Sequence, residues 1–461
     1  MNTFFRYLII VAIFIGLYSK NSNAQQRDSI VIKHIFNEVF THGQSHENLK
    51  YLCKEIGPRI SGSNAAEKAI QWAFEKLKDS HADSVWLQEV MVPHWVRGQK
   101  EEAFLFSKNK KIKLAICALG NSVGTPEKGI KSTVIEVKTF EELRAIPTEK
   151  VKGKIVYFSR PFPDTVLFGG LAYGLTVNQR SQGPIEAAKK GAIGVIVRSM
   201  THAHDQYPHT GATQYKDSFP AIPACAISTE DAAILSSTLQ EDPNAQVEFK
   251  QHCKMLDEVK SYNVVAELKG TEKPEEIIVL GAHIDSWDIG EGAHDDGAGV
   301  VQCIEALQTL KKLQISTKRS VRIVLFINEE NGLRGGLKYA ELAYTNKEKH
   351  IAAIETDAGG FMPRHIGFAI AKEQLFKFKT WENLLAPYGV QAIDENGGGA
   401  DIGPLKKQGA LIIGFHPDGQ KYFDYHHTEN DVFEHVNKRE LQFGSVVLAG
   451  LIYLISEHGI E

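Results

Sequence analysis

Ile277-Ile278-Val279-Leu280-Gly281-Ala282-His283-Ile284-Asp285 is the stretch on which the fold turns. Ile277 to Leu280 reads as a buried strand, and it runs straight into a histidine. The arrangement recurs: Val321 to Ile327 reads as a strand that runs into Glu329 and Glu330, and Ile351 to Ile354 runs into Asp357. Leu411 to Gly414 is another such strand. Helical spacing lies between and after them, over Val301 to Leu313, Leu337 to Ala343 and Leu441 to Ser456. Strands alternating with helices predict an α/β fold with a mainly parallel central sheet and helices on both faces. The polar residues all follow the C-terminal ends of strands, where open α/β sheets gather their sites.

Those polar residues form a set. Gly292-Ala293-His294-Asp295-Asp296-Gly297-Ala298-Gly299 follows the first strand, and Asn328-Glu329-Glu330-Asn331-Gly332, Glu355-Thr356-Asp357-Ala358-Gly359 and His426-His427-Thr428-Glu429-Asn430-Asp431 come later. A single His-x-Asp is often a surface pair, and adjacent glutamates are often a solvated turn. Here Glu329 and Glu330 end an apolar strand, and Asp295 and Asp296 are framed by glycines that permit tight backbone geometry. His283, Asp295, Glu330, Asp357 and His427 are enough to hold two Zn2+ ions per chain. The three carboxylates return three of the four positive charges, with Asp295 able to bridge. Metal binding lowers the pKa of water from about 15.7 to about 7 and supplies hydroxide at neutral pH. Glu329 is the spare carboxylate, suited to general base and then general acid catalysis. Asp285, two residues past His283, suits the task of orienting its imidazole.

Composition narrows the class. The chain has 461 residues, 43% hydrophobic and 23% charged, which suits two or three globular domains. A net charge of −4 gives no basic footprint, so no nucleic-acid partner is expected. Arg6, the apolar run Tyr7 to Tyr18 and Ser22-Asn23-Ala24 read as a signal peptide over 1–24. The mature protein is then expected to be exported, periplasmic or secreted, with no stable membrane insertion after processing. None of the five cysteines forms a C-x-x-C pair, so a cysteine zinc knuckle is not supported.

Ser63 to Leu77 carries apolar residues at helical spacing, with Ser63 or Asn64 as N-cap. From about 116 to 256 the texture changes: Lys152 to Phe158 reads as a turn into a strand, Pro184 to Lys190 as a short helix, and Gly191 to Val197 as a buried strand. His202, His204 and His209 crowd a polar loop there without a carboxylate pattern, which favours a structural or substrate-facing role over metal binding.

The signature Ile56-Gly57-Pro58-Arg59-Ile60-Ser61-Gly62-Ser63 and everything from about residue 262 onward resemble the dinuclear zinc exopeptidases of peptidase family M28. Ala118 to Pro126, Pro208-His209-Thr210-Gly211 and His283 to Asp288 are similar to its carboxypeptidase Q group. The resemblance implies the zinc exopeptidase fold, with a protease-associated domain over 116–256 inserted into a catalytic domain over 25–115 and 257–461. It implies His283 and Asp357 on one zinc, Glu330 and His427 on the other, and Asp295 between them, followed by a cis peptide. His426 is the competing ligand; the pattern His-Thr-x-x-Asp favours His427 and leaves His426 for substrate contact. Gly397 to Asp401 resembles the substrate-side loop, which nominates Gly398 and Asp401. A homodimer is implied by the family alone. Asn331-Gly332-Leu333-Arg334-Gly335-Gly336 departs from the group's wording after the glutamate pair, which bears on substrate preference.

The expectation is an exported two-zinc exopeptidase acting on dipeptides or short peptides. Two alternatives share the fold. The inserted domain argues against a glutaminyl-cyclase-like acyltransferase, and the full ligand set argues against a non-catalytic receptor-like relative.

Overall fold

The computed structural model describes residues 24–460. The leader expected over 1–24 therefore falls outside the described residues, except for Ala24, which belongs to a helix running to residue 42. Ser63 caps the next long helix, Asn64–Asp79, by accepting from the Ala66 amide. Its apolar positions Ala66, Ala69, Ile70, Ala73 and Leu77 are buried.

Among the described residues sixteen strands form two sheets of eight. β1 (Ser84–Val96) opens the first sheet. The chain then builds the whole of the second: β2 (Glu102–Ser107), β3 (Lys110–Leu114), β4 (Ile116–Ala118), β5 (Ile130–Val137), β6 (Ile155–Phe158), β7 (Gly194–Arg198), β8 (Ala224–Ile227) and β9 (Gln246–Lys250). It returns to the first sheet with β10 (Lys254–Leu268), β11 (Lys273–His283), β12 (Arg319–Phe326), β13 (Lys349–Glu355), β14 (Pro363–Phe368), β15 (Ala392–Asp394) and β16 (Leu411–Pro417). The second sheet begins at Glu102, ahead of the expected residue 116, because β2 pairs antiparallel with both β3 and β9.

The first sheet has the order β1-β10-β12-β11-β13-β16-β14-β15. Its centre, β12-β11-β13-β16, is parallel as expected. β14 and β15 are parallel too, while β1 and β10, β10 and β12, and β14 and β16 are antiparallel, so the sheet is mixed, with a parallel centre. Period-two alternation sends side chains of β11 to two different cores. Ile278, Leu280 and Ala282 pack with Ile304 and Leu307 of the helix Ala298–Lys312, Leu448 and Ile452 of the helix Lys438–His458, and Ile35. Ile277 and Val279 pack on the opposite face with Tyr339 and Ala343 of the helix Arg334–Thr345. Helices thus cover both faces. Lys438–His458 is long and apolar enough to cross a membrane, but it is largely buried in this core. All five cysteines are buried and unpaired.

Candidate metal centre

The parallel strands β11, β12 and β13 stop in register, His283 beside Phe326 and Gly281 beside Glu355, so the residues that follow them converge. Asp295 sits at the middle. Its Oδ1 lies 3.1 Å from His283 Nε2, which is 3.6 Å from Asp357 Oδ1. Its Oδ2 lies 3.2 Å from His427 Nε2, which is 3.1 Å from Glu330 Oε2. Tetrahedral ligands at zinc distances would stand roughly 3.3 Å apart. Asp295 Oδ2 and Glu330 Oε1 are buried and accept no hydrogen bond. A cavity of about 10 Å³ lies against Asp295, Glu330, His427 and Trp287, room for an ion or one water. The donor set, its spacing and its orphaned oxygens fit divalent metal.

The electrostatics point the same way. Burial works against charge on the imidazoles, yet the facing carboxylates prevail: Glu330 and Asp295 push His427 up to about 10. Asp357 and Asp295 push His283 well above its ordinary value. Burial pushes Glu330 up to about 7, with Asp295 adding to it. Burial, with Asp357 and Glu330 nearby, raises Glu329 well above the usual carboxylate range. A site that draws protons onto its histidines draws a divalent cation in their place.

A buried shell holds these groups. Asp296, joined to Asp295 by a cis peptide, accepts from the His283 amide at 3.0 Å and the Gly299 amide at 3.0 Å. Asp431 accepts from the amides of His294 and Asp295 at 2.8 and 3.1 Å. Arg59, fully buried, donates to the carbonyls of Ile284, Glu291 and Gly292 at 2.7–2.9 Å, tying both metal-site loops to the N-terminal signature. Asp285 does meet the imidazole of His283, but through its carbonyl, 3.0 Å from Nδ1. Its carboxylate stands 3.8 Å from that nitrogen and accepts instead from the Glu329 amide at 3.2 Å, so it positions the main chain of the expected base.

His426 stacks on His427 with ring centroids 3.5 Å apart, its Nε2 3.7 Å from Asp295 Oδ2. Gly398 is partly exposed with open space at its Cα, as a substrate-side residue would be. Asp401 is buried, and its carboxylate accepts from the Gly336 amide at 3.2 Å, so it faces a helix start rather than open space. Glu355 holds that loop by accepting from the amides of Ala400, Asp401 and Ile402 at 2.7–3.1 Å. His202 and His204 are exposed, whereas His209 is buried close to His427, with neither ring nitrogen hydrogen-bonded. Tyr422, which no motif singled out, places its hydroxyl 3.4 Å from Asp357 Oδ1.

The second sheet docks beside the centre. Asn121 and Asn331 exchange hydrogen bonds at 3.2–3.3 Å, giving the departure after the glutamate pair a structural use. Arg97 joins Asp288 Oδ1 at 2.6 Å to the Ala118 carbonyl at 2.7 Å. Gly120 packs so close to the Trp287 ring that a Cβ there would overlap it.

Known proteins of this architecture share the sequence as well. The profile of peptidase family M28 matches residues 263–450. Carboxypeptidase Q of Mus musculus is 34% identical over 414 residues, spanning 90% of this chain and 86% of that protein, and carboxypeptidase Q of Homo sapiens is 34% identical over 90% and 85%. The crystal structure of a peptidase M28 precursor from Shewanella amazonensis SB2B superimposes with a TM-score of 0.89 at 33% identity, covering 94% of this chain and 97% of that one. A zinc aminopeptidase from Bacillus subtilis shares the fold, with a TM-score of 0.63 at 21% identity over 88% and 94%. Identity at this level over nearly the full length of both partners makes the chain a member of peptidase family M28, on the side of its carboxypeptidase Q group, and a metallo-exopeptidase.

Proposed function

We propose that the protein is an exported exopeptidase that carries two zinc ions and hydrolyses dipeptides or short peptides with a free terminus. The observation that carries this reading is the division of Asp295, one oxygen toward His283 and Asp357 and the other toward His427 and Glu330. His283 and Asp357 would hold one ion, His427 and Glu330 the other, and Asp295 both. Zinc, when bound, acidifies water and polarises the scissile carbonyl. Glu329 takes a proton from the attacking water and hands it to the departing amine. Asp285 fixes the main chain of Glu329, while Asp401 and Glu355 shape the loop that carries Gly398 on the substrate side. The second sheet is read as the protease-associated domain of the family, and residues 1–24 as a leader removed on export.

Glu329→Gln tests the reading. Dipeptide hydrolysis should fall by about 100- to 10,000-fold while zinc content stays at two equivalents. Full activity in that variant would overturn the mechanism, and a single equivalent in the wild type would overturn the two-ion centre. The mass of protein recovered outside the cytoplasm should correspond to a start near Gln25.

A further inference from the structure

We propose that the lobe built on the second sheet is a working part of the metal centre, with Thr210 and Arg180 acting as positioning residues that aim His427 at the ion it would share with Glu330. The inference rests on the two-ion reading above.

The two histidines are held differently. Each turns Nε2 toward the carboxylates, so each must carry its proton on Nδ1 in order to offer a lone pair. For His283 the acceptor of that proton is the Asp285 carbonyl, 3.0 Å away and two residues along the same loop. For His427 it is the Thr210 carbonyl, 3.3 Å away, and Thr210 lies between β7 and β8 of the other sheet. The Thr210 amide in turn donates to the His427 carbonyl at 2.9 Å. His427 is thereby gripped at both its ring and its main chain, in a left-handed conformation (φ +63°) that residues with a side chain seldom take.

Arg180 completes the grip. Its Nη1 donates to the same Thr210 carbonyl at 3.2 Å and lies 3.4 Å from His427 Nδ1. Its Nη2 donates to the Tyr173 hydroxyl, and its own carbonyl accepts from Thr213 Oγ1 at 3.0 Å. The side chain is buried, and among the described residues it forms no ion pair with a carboxylate. A buried guanidinium without a counter-charge is costly unless its donors are used; here both Nη atoms are spent on one carbonyl and one hydroxyl beside the metal site, while Nε is buried without a partner. The neighbouring residue makes room for it: Gly211 sits at φ +130°, and a Cβ there would come within 2.2 Å of Arg180 Nη1. One ion's histidine is therefore oriented from within its own loop, and the other's from a separate lobe. Disturbing the lobe should loosen one ion and spare its neighbour.

The test uses the full chain, stripped of metal and titrated with zinc against a chromophoric chelator, so that binding is read without activity. Arg180→Met removes the guanidinium, Gly211→Ala displaces it, and Arg180→Lys restores a charge that can reach the carbonyl. Melting of the metal-free proteins checks folding, and Arg180→Lys carries the comparison if Arg180→Met does not fold. The expected result is that Arg180→Met and Gly211→Ala keep one equivalent at wild-type affinity and bind the second about 10- to 100-fold more weakly, with partial recovery in Arg180→Lys. Variants that bind both equivalents as tightly as the wild type would overturn the inference and leave the lobe as a packed neighbour. A wild type that takes up a single equivalent would instead overturn the two-ion reading, before any variant is compared.

Discussion

Asp295 stands between His283 and His427, 3.1 Å from the Nε2 of one and 3.2 Å from that of the other, each through a different oxygen. A carboxylate so placed is shared, whereas of these two histidines Asp357 faces His283. Asp295→Ala should therefore strip both ions and reduce turnover at least about 100-fold, while Asp357→Ala should weaken one of them. Elemental analysis after gel filtration separates the two outcomes.

Arg59 should matter to stability out of proportion to its distance from the chemistry. Its three donors end on three main-chain carbonyls of the metal-site loops, with no solvent to replace them. Arg59→Met is expected to cost about 3–5 kcal/mol, measured by urea unfolding of the metal-free protein.

Gly120 should tolerate no side chain. A Cβ there would fall 1.8 Å from the Trp287 ring, which lines the cavity beside Glu330 and His427. Gly120→Ala should lower stability by about 1–3 kcal/mol and reduce kcat/KM as the indole shifts. Gly419→Ala, which meets nothing within 4 Å, should change neither.

Acid should undo the docking of the N-terminal helix. Asp28 accepts from Tyr453 and His458 at 2.8 Å each, and although burial opposes its charge, these partners hold it below its ordinary value. A carboxylate lowered in the folded state stabilises fully above its unfolded pKa, about 3.9, and loses that contribution as pH falls through its folded value. Asp28→Asn should cost about 2 kcal/mol at pH 7, and in melting curves taken across pH the difference should begin to shrink near pH 3.9 and vanish only below the lower folded value.

Metal removal should be reversible. A strong chelator should abolish hydrolysis and lower the melting temperature, and added zinc should restore both. Zinc at a thousand times its Kd would stabilise the fold by about 4 kcal/mol.

The parallel strands were legible because burial on both faces leaves a short apolar run at the centre of each, Ile277 to Leu280 in β11 and Ile323 to Phe326 in β12. The edges were not. β10 is exposed for its first five residues and β1 alternates at best, so neither carries the signature of a buried strand. The five side chains that converge around Asp295 could be picked out because each directly follows a strand or stands in a compact polar motif. Their supports could not be, since a contact such as Thr210 with His427 has no local trace in either segment. Arg59 was visible within its signature, but nothing near it in sequence shows that its donors would end on carbonyls more than two hundred residues away.

The position of β10 has a consequence for how the chain is made. β1 borders the first sheet with β10 as its neighbour, and the whole second sheet is translated between them. At typical synthesis rates a 13-residue strand thus waits roughly 8–30 s with its amides unclaimed. Pro93, at the register shift between Val92 and His94, and the charge of Glu89 are the features that discourage a nascent neighbour from pairing with it first.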